Sequence, residues 1–121
     1  MCNPILLEND PLIISDRQFS SRLMLGTGKY KNFQEAKNAI ILSGCEILTV
    51  AIRRAQSSTV DGIDKLLNNL DWTKIWLMPN TAGCQTAEQS IRLAFLGREL
   101  LKNLNYIDNS FLKLEVISGS C

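Results

Sequence analysis

Four short apolar runs, starting near residues 22, 47, 75 and 111, are spaced about 25, 28 and 36 residues apart, with helix-patterned segments between them. Short, nearly continuous apolar strands alternating with helices mark parallel βαβ units buried on both faces of the sheet. A chain of 121 residues holds at most one small domain, or part of a larger one. Two architectures fit this alternation: a doubly wound open sheet, or the first half of a (β/α)8 barrel.

The local signals are explicit. Leu12–Ile14 and Arg17–Phe19 read as a leading hairpin turning at Ser15-Asp16. Arg22–Leu25 is the first apolar strand, ending at Gly26-Thr27-Gly28. Asn32 is an N-cap candidate with Glu35 three residues on. From Phe33, the positions Ala36, Ile40 and Ile41 keep helical spacing up to the stop at Ser43-Gly44. Ile47–Ile52 is the second strand, running into Arg53-Arg54, and a helix is predicted over Val60–Asn69. The third strand, Ile75–Met78, is stopped by Pro79-Asn80. Thr86 and Gln89 open the strongest helix, whose side carrying Ile91, Ala94, Phe95, Arg98, Leu101 and Lys102 grades from apolar to polar. Phe111–Ile117 is the fourth strand. The first ten residues read as a poorly ordered leader.

Composition narrows the chemistry. Thirteen basic against twelve acidic residues leave a net charge of +1, without the basic excess of a nucleic-acid binder. No apolar run approaches the ~20 residues of a membrane span. Histidine is absent, which removes imidazole bases, Ser-His-Asp triads and every His-ligated metal. The four cysteines, at 2, 45, 84 and 121, contain no C-x-x-C and read as buried or incidental thiols rather than a metal or redox motif. Catalysis must rest on lysine, carboxylates, hydroxyls and backbone. Gly26-Thr27-Gly28 begins a G-x-G pattern, but Lys31 stands where the third glycine of a dinucleotide fingerprint belongs.

The sharpest chemical feature is Phe111-Leu112-Lys113-Leu114-Glu115-Val116-Ile117. Side chains alternate along a strand, so Lys113 and Glu115 share one face, while Leu112, Leu114 and Val116 share the other, under the helices. One reading is an amphipathic strand with its charged face in water. The other is a barrel strand with an inner lysine, whose burial lowers its pKa and readies it to attack a ketone, an adjacent carboxylate shuttling protons. Arg53 and Asn80 follow strand ends on the rim where βα folds bind ligands, and are candidate substrate contacts.

Ser21-Arg22-Leu23-Met24-Leu25-Gly26-Thr27-Gly28-Lys29-Tyr30, Ile47–Arg54, Leu77–Glu88 and Lys113–Ile117 together resemble thiazole synthase, bacterial and plastid-encoded, of thiamine biosynthesis. The four motifs lie in register over residues 11–117. The resemblance implies a (β/α)8 barrel that condenses 1-deoxy-D-xylulose 5-phosphate, dehydroglycine and a sulfur-carrier protein thiocarboxylate. It also implies an imine between Lys113 and the sugar ketone, acid–base work at Glu115, no metal or organic cofactor, and a homo-oligomer that docks the carrier.

The chain ends where that family continues through four more βα units. The tail 118–121 diverges, and the family's phosphate contacts fall beyond it. The expectation is therefore a half barrel of four strands and three helices behind a hairpin, inactive alone and aggregation-prone or only partly folded, since half a barrel exposes strand edges. Lys113 would then be hydrated on an edge strand. The alternatives are a non-catalytic assembly or carrier-binding module that pairs with a separate C-terminal half, or an unrelated lysine aldolase. The absence of a targeting segment, and ten asparagines hinting at an A/T-rich coding sequence, point to bacterial cytoplasm or chloroplast stroma.

Overall fold

A computed structural model describes residues 10–56, 68–71, 73–103 and 111–117. Strands β1 (Leu12–Ile14) and β2 (Arg17–Phe19) form the expected antiparallel hairpin, with Leu12 opposite Phe19 and Ile14 opposite Arg17. Ser15 adopts the positive φ (56°) that such a tight connection requires. Strands β3 (Met24–Gly26), β4 (Ile47–Ala51) and β5 (Trp76–Asn80) form a parallel sheet in the order β3-β4-β5. Lys113 then bridges Asn80 in parallel on the far side of β5. Each successive segment is added on the same side, with no reversal of strand order among the described residues; a doubly wound sheet would reverse at its switch point.

Helix α1 (Phe33–Ser43) begins and ends as its sequence dictates. Asn32 Oδ1 accepts from Glu35 N–H at 2.9 Å, Glu35 Oε2 accepts from Lys31 N–H at 3.0 Å, and Gly44 closes the helix in the left-handed region. Helix α2 is the short Ile52–Gln56, and α3 is Ala87–Asn103. The Thr86–Gln89 box starts α3: Thr86 Oγ1 accepts from Gln89 N–H (3.2 Å), and Gln89 Oε1 from Gln85 N–H (2.9 Å).

Strand alternation assigns two faces. On one, Leu48 and the half-buried Leu25 pack against Ala36 and Ile40 of α1, and further along Ile52 and Leu112 pack with Leu93 of α3 and with Cys84 in the turn before it. On the other, here called the inner face, Ile47, Trp76 and Met78 pack with Phe19, Leu12, Ile14 and Phe111. The hairpin thus floors the inner face at the N-terminal ends of the strands. Phe19, Trp76 and Phe111 meet there with ring centroids 5.1–6.1 Å apart, and the Arg17 guanidinium lies 4.6 Å from the Trp76 ring.

Several sequence expectations shift. The first strand starts at Met24 rather than Arg22: Arg22 pairs with Asp10 (2.9 Å), and the Ser21 hydroxyl accepts from Leu23 N–H (3.2 Å), holding the chain outside the ladder. Ile52 leaves the second strand to open α2, because its side chain is buried against Cys84 and Leu93. Pro79 and Asn80 extend the third strand instead of stopping it. Trp76 N–H donates to Glu46 C=O on the β4 side, so by alternation the polar groups of residue 79 face away from β4 and its missing N–H costs that ladder nothing.

Helix α3 is rotated from its expected phase. Its buried stripe is Ser90, Leu93, Gly97 and Leu101, whereas Ile91 and Phe95 are 50% and 62% exposed. Gly97 explains the rotation: a Cβ there would lie 2.6 Å from Ile52 Cδ1 and 3.2 Å from Leu112 Cδ1, so the helix approaches through its smallest residue. Ile41, expected on the apolar side of α1, is exposed. Leu112 lies under α3 as expected, but Leu114 and Val116 are 59% and 47% exposed. Most of the predicted helix 60–69, residues 1–9 of the leader and the tail 118–121 lie outside the described residues. Cys45 and Cys84 are free, buried thiols.

Candidate active site at the strand C-terminal ends

Lys113 and Glu115 lie beside the C-terminal end of β5. By alternation from Leu112, which faces α3, both side chains belong to the inner face, the side that carries Phe111 and the aromatic floor. Lys113 Nζ is 3.2 Å from Glu115 Oε1, within charge-assisted hydrogen-bond reach. The lysine side chain is 55% exposed and the glutamate 32%, so the dry interior of a closed barrel is not what surrounds this amine. It stands on the outermost described strand position, hydrated.

The segment bearing this pair is not the regular strand expected over Phe111–Ile117. Lys113 N–H donates to Pro79 C=O (2.8 Å) and Lys113 C=O accepts from Thr81 N–H (3.2 Å), giving an isolated bridge. A regular parallel ladder would next pair Glu115 N–H with the Thr81 carbonyl. That carbonyl instead accepts from Cys84 N–H (3.3 Å) in the turn Thr81-Ala82-Gly83-Cys84, which Gly83 permits at φ 91°. The Thr81 hydroxyl takes the vacated place: Oγ1 accepts from Glu115 N–H at 2.7 Å. Glu115 C=O is within 2.9 Å of Thr81 Oγ1 and 3.0 Å of Ser90 Oγ, and the two hydroxyls are 2.8 Å apart. Both Thr81 and Ser90 are fully buried. Ile117 N–H then donates to Cys84 C=O (2.7 Å).

The rim candidates are distributed around this pair. Asn80 is the residue bridged to Lys113, and its Oδ1 accepts from Ala82 N–H (3.1 Å), shaping the turn. Arg53 sits on the first turn of α2 rather than in a loop, and its guanidinium donates to Cys84 Sγ (3.8 Å). Gly83 leaves room for it, since a Cβ there would lie 2.9 Å from Arg53 Nη1. Arg54 lies against Gly28 in the loop after β3, and Thr27 Oγ1 pins that loop by donating to Thr49 C=O (3.0 Å). The fold therefore brings Asn80, Lys113 and Glu115 together, and directs Arg53 to the Gly83–Cys84 turn.

Sequence reasoning missed Thr81 and Ser90 as a unit. Ser90 carried a signal: it is a polar residue in register with Leu93, Gly97 and Leu101, and a polar residue on a buried stripe needs a partner.

The family model for the thiazole biosynthesis protein ThiG matches residues 13–120. A thiazole synthase of Emiliania huxleyi is 67% identical over 108 residues, covering 89% of this chain and 39% of that protein. One of Porphyra purpurea is 58% identical over 111 residues, covering 92% and 40%. A bifunctional protein ThiO/ThiG of Nostoc sp. is 55% identical over 114 residues, covering 94% and 17%. The chain spans about two fifths of the length of those thiazole synthases. With a family match running from the hairpin through the Lys113–Glu115 segment, the chain belongs to the thiazole biosynthesis protein ThiG family.

Proposed function

We propose that the chain carries the carbonyl-capturing part of a thiazole synthase, which condenses 1-deoxy-D-xylulose 5-phosphate with dehydroglycine and a sulfur-carrier protein thiocarboxylate. The observation that carries this reading is the 3.2 Å pairing of Lys113 Nζ with Glu115 Oε1 on the inner face at the strand C-terminal ends. An ammonium is not a nucleophile, and a carboxylate at that distance can accept its proton as the ketone arrives. The freed amine adds to the ketone carbon, giving a carbinolamine. Return of the proton to the carbinolamine hydroxyl expels water and leaves the protonated imine on Lys113, beside the regenerated Glu115 carboxylate. Asn80 and Arg53 are the rim contacts for the sugar phosphate in this reading. The remaining βα units of a (β/α)8 barrel would enclose the pair and supply the phosphate site. Family membership and the consecutive strand order support that architecture.

Supplying the protein, extended by the remaining βα units, with the three reactants and following thiazole phosphate by mass spectrometry tests the proposal. Lys113→Arg should abolish product, and Glu115→Gln should lower it by about 10²–10⁴-fold, the usual contribution of a positioned acid–base group. Product formation by Lys113→Arg at the parent rate would refute it.

The exposed Leu114 and Val116 favour a second reading, a half barrel serving as an assembly module for a separate C-terminal half. Under that reading, a complex of the two halves stays active when Lys113 is replaced by alanine.

A further inference from the structure

We infer that Thr81 is a positioning residue for the Lys113–Glu115 pair, its hydroxyl standing in for the backbone at the point where the β5 ladder breaks off. The inference rests on the imine reading above and adds to it the device that holds the pair in place.

The Thr81 carbonyl is taken up in the turn Thr81–Cys84. Because it is committed to Cys84 N–H, Glu115 N–H has no backbone acceptor in ladder register. An unpaired amide at the edge of a site leaves its own residue free to swing, and here that residue is Glu115. The Thr81 hydroxyl restores the bond at 2.7 Å and, with Ser90, also caps the Glu115 carbonyl. Two hydroxyl protons serve three close contacts, and every arrangement of two of them leaves the Glu115 carbonyl with at least one donor. The clamp is therefore satisfied internally, and the two residues that supply its hydroxyls, Thr81 and Ser90, are fully buried. Thr81 N–H also donates to Lys113 C=O, so one residue grips the backbone at both reactive positions. Its side chain is engaged with backbone and with Ser90. The expected consequence of its loss is thus a misplaced pair rather than lost substrate affinity.

Two measurements on Thr81→Val, Thr81→Ser and Ser90→Ala test this. Valine keeps the shape and loses the hydroxyl; serine keeps the hydroxyl. The first measurement is amide exchange at Glu115 and, as a control for general loosening, at Ile40 in α1. Thr81→Val should speed exchange at Glu115 at least tenfold with Ile40 unchanged. Thr81→Ser should stay within threefold of the parent. Ser90→Ala should fall between, because Thr81 alone can still cap the carbonyl.

The second, made on the protein extended by the remaining βα units, is the rate of borohydride-trapped adduct against sugar-phosphate concentration. Thr81→Val should lower the saturating rate at least tenfold with the half-saturating concentration within threefold, and serine should restore the rate. Unchanged Glu115 exchange or unchanged trapping in Thr81→Val overturns the inference, as does a serine variant that behaves like valine. A parent protein extended by the remaining βα units that forms no adduct refutes the imine reading itself, and with it any catalytic role for the clamp. A parent that forms adduct beside an unaffected Thr81→Val defeats the clamp alone.

Discussion

Replacing Phe19 by alanine removes the centre of the floor beneath the candidate site. Phe19 is 1% exposed and meets both Trp76 (5.8 Å) and Phe111 (6.1 Å), so the variant loses a buried aromatic side chain and two edge-type ring contacts. A buried Phe→Ala change costs about 3–5 kcal/mol. About 0.5–1.5 kcal/mol per ring contact comes from aromatic geometry rather than from area alone. Against the roughly 5–15 kcal/mol by which folded proteins are stable at all, that is a large loss for the packing that holds the hairpin on the sheet. The reporter is the Trp76 amide, whose N–H donates to Glu46 C=O at 2.7 Å directly behind the floor. By native-state hydrogen exchange at low protein concentration, Phe19→Ala should speed exchange there by about 10²–10⁴-fold, or to the unprotected limit. Phe19→Leu, which nearly conserves volume and removes the ring contacts, should cost about 1–2 kcal/mol and speed exchange roughly tenfold. An alanine variant within tenfold of the parent, or a leucine variant as damaged as alanine, would refute the claim that aromatic packing seats the hairpin.

Other outcomes follow from the same packing. Gly97→Ala gains about 1 kcal/mol of helix propensity, yet its Cβ would press on the buried Ile52 and on Leu112 at an overpacking cost of about 1–3 kcal/mol; exchange of the α3 amides should therefore speed up, and slower exchange would contradict the close approach. The exposed Leu23, Leu42, Phe95, Leu114 and Val116 should make the isolated chain self-associate at tens of micromolar and bind a hydrophobic dye. A monodisperse monomer with a single sharp melt would argue otherwise.

Local rules wrote much of this fold legibly. The hairpin, the Asn32 and Thr86 caps and the Gly44 stop each depend on a few neighbouring residues, and each stands where the sequence put it. What local patterning could not reveal is set by contacts across the chain. The α3 stripe follows Gly97 rather than the largest apolar side chains, because backbone approach to Ile52 outweighs the burial of Phe95. Pro79 looked like a strand breaker because which neighbour its missing N–H faces depends on register. At the site, alternation alone put Lys113 and Glu115 on one face, which their 3.2 Å contact bears out. Thr81 stayed hidden because its role exists only once the ladder breaks and a segment more than thirty residues away arrives with an unpaired amide.

In the proposed reaction the Lys113 amine is the group that captures the substrate carbonyl. Incubation of the protein, extended by the remaining βα units, with 1-deoxy-D-xylulose 5-phosphate, reduction with borohydride and peptide mapping by mass spectrometry addresses this directly. The account predicts one reduced adduct, on Lys113, absent from Lys113→Arg. An adduct on Lys29, Lys31 or another lysine, with Lys113 unmodified, would contradict it.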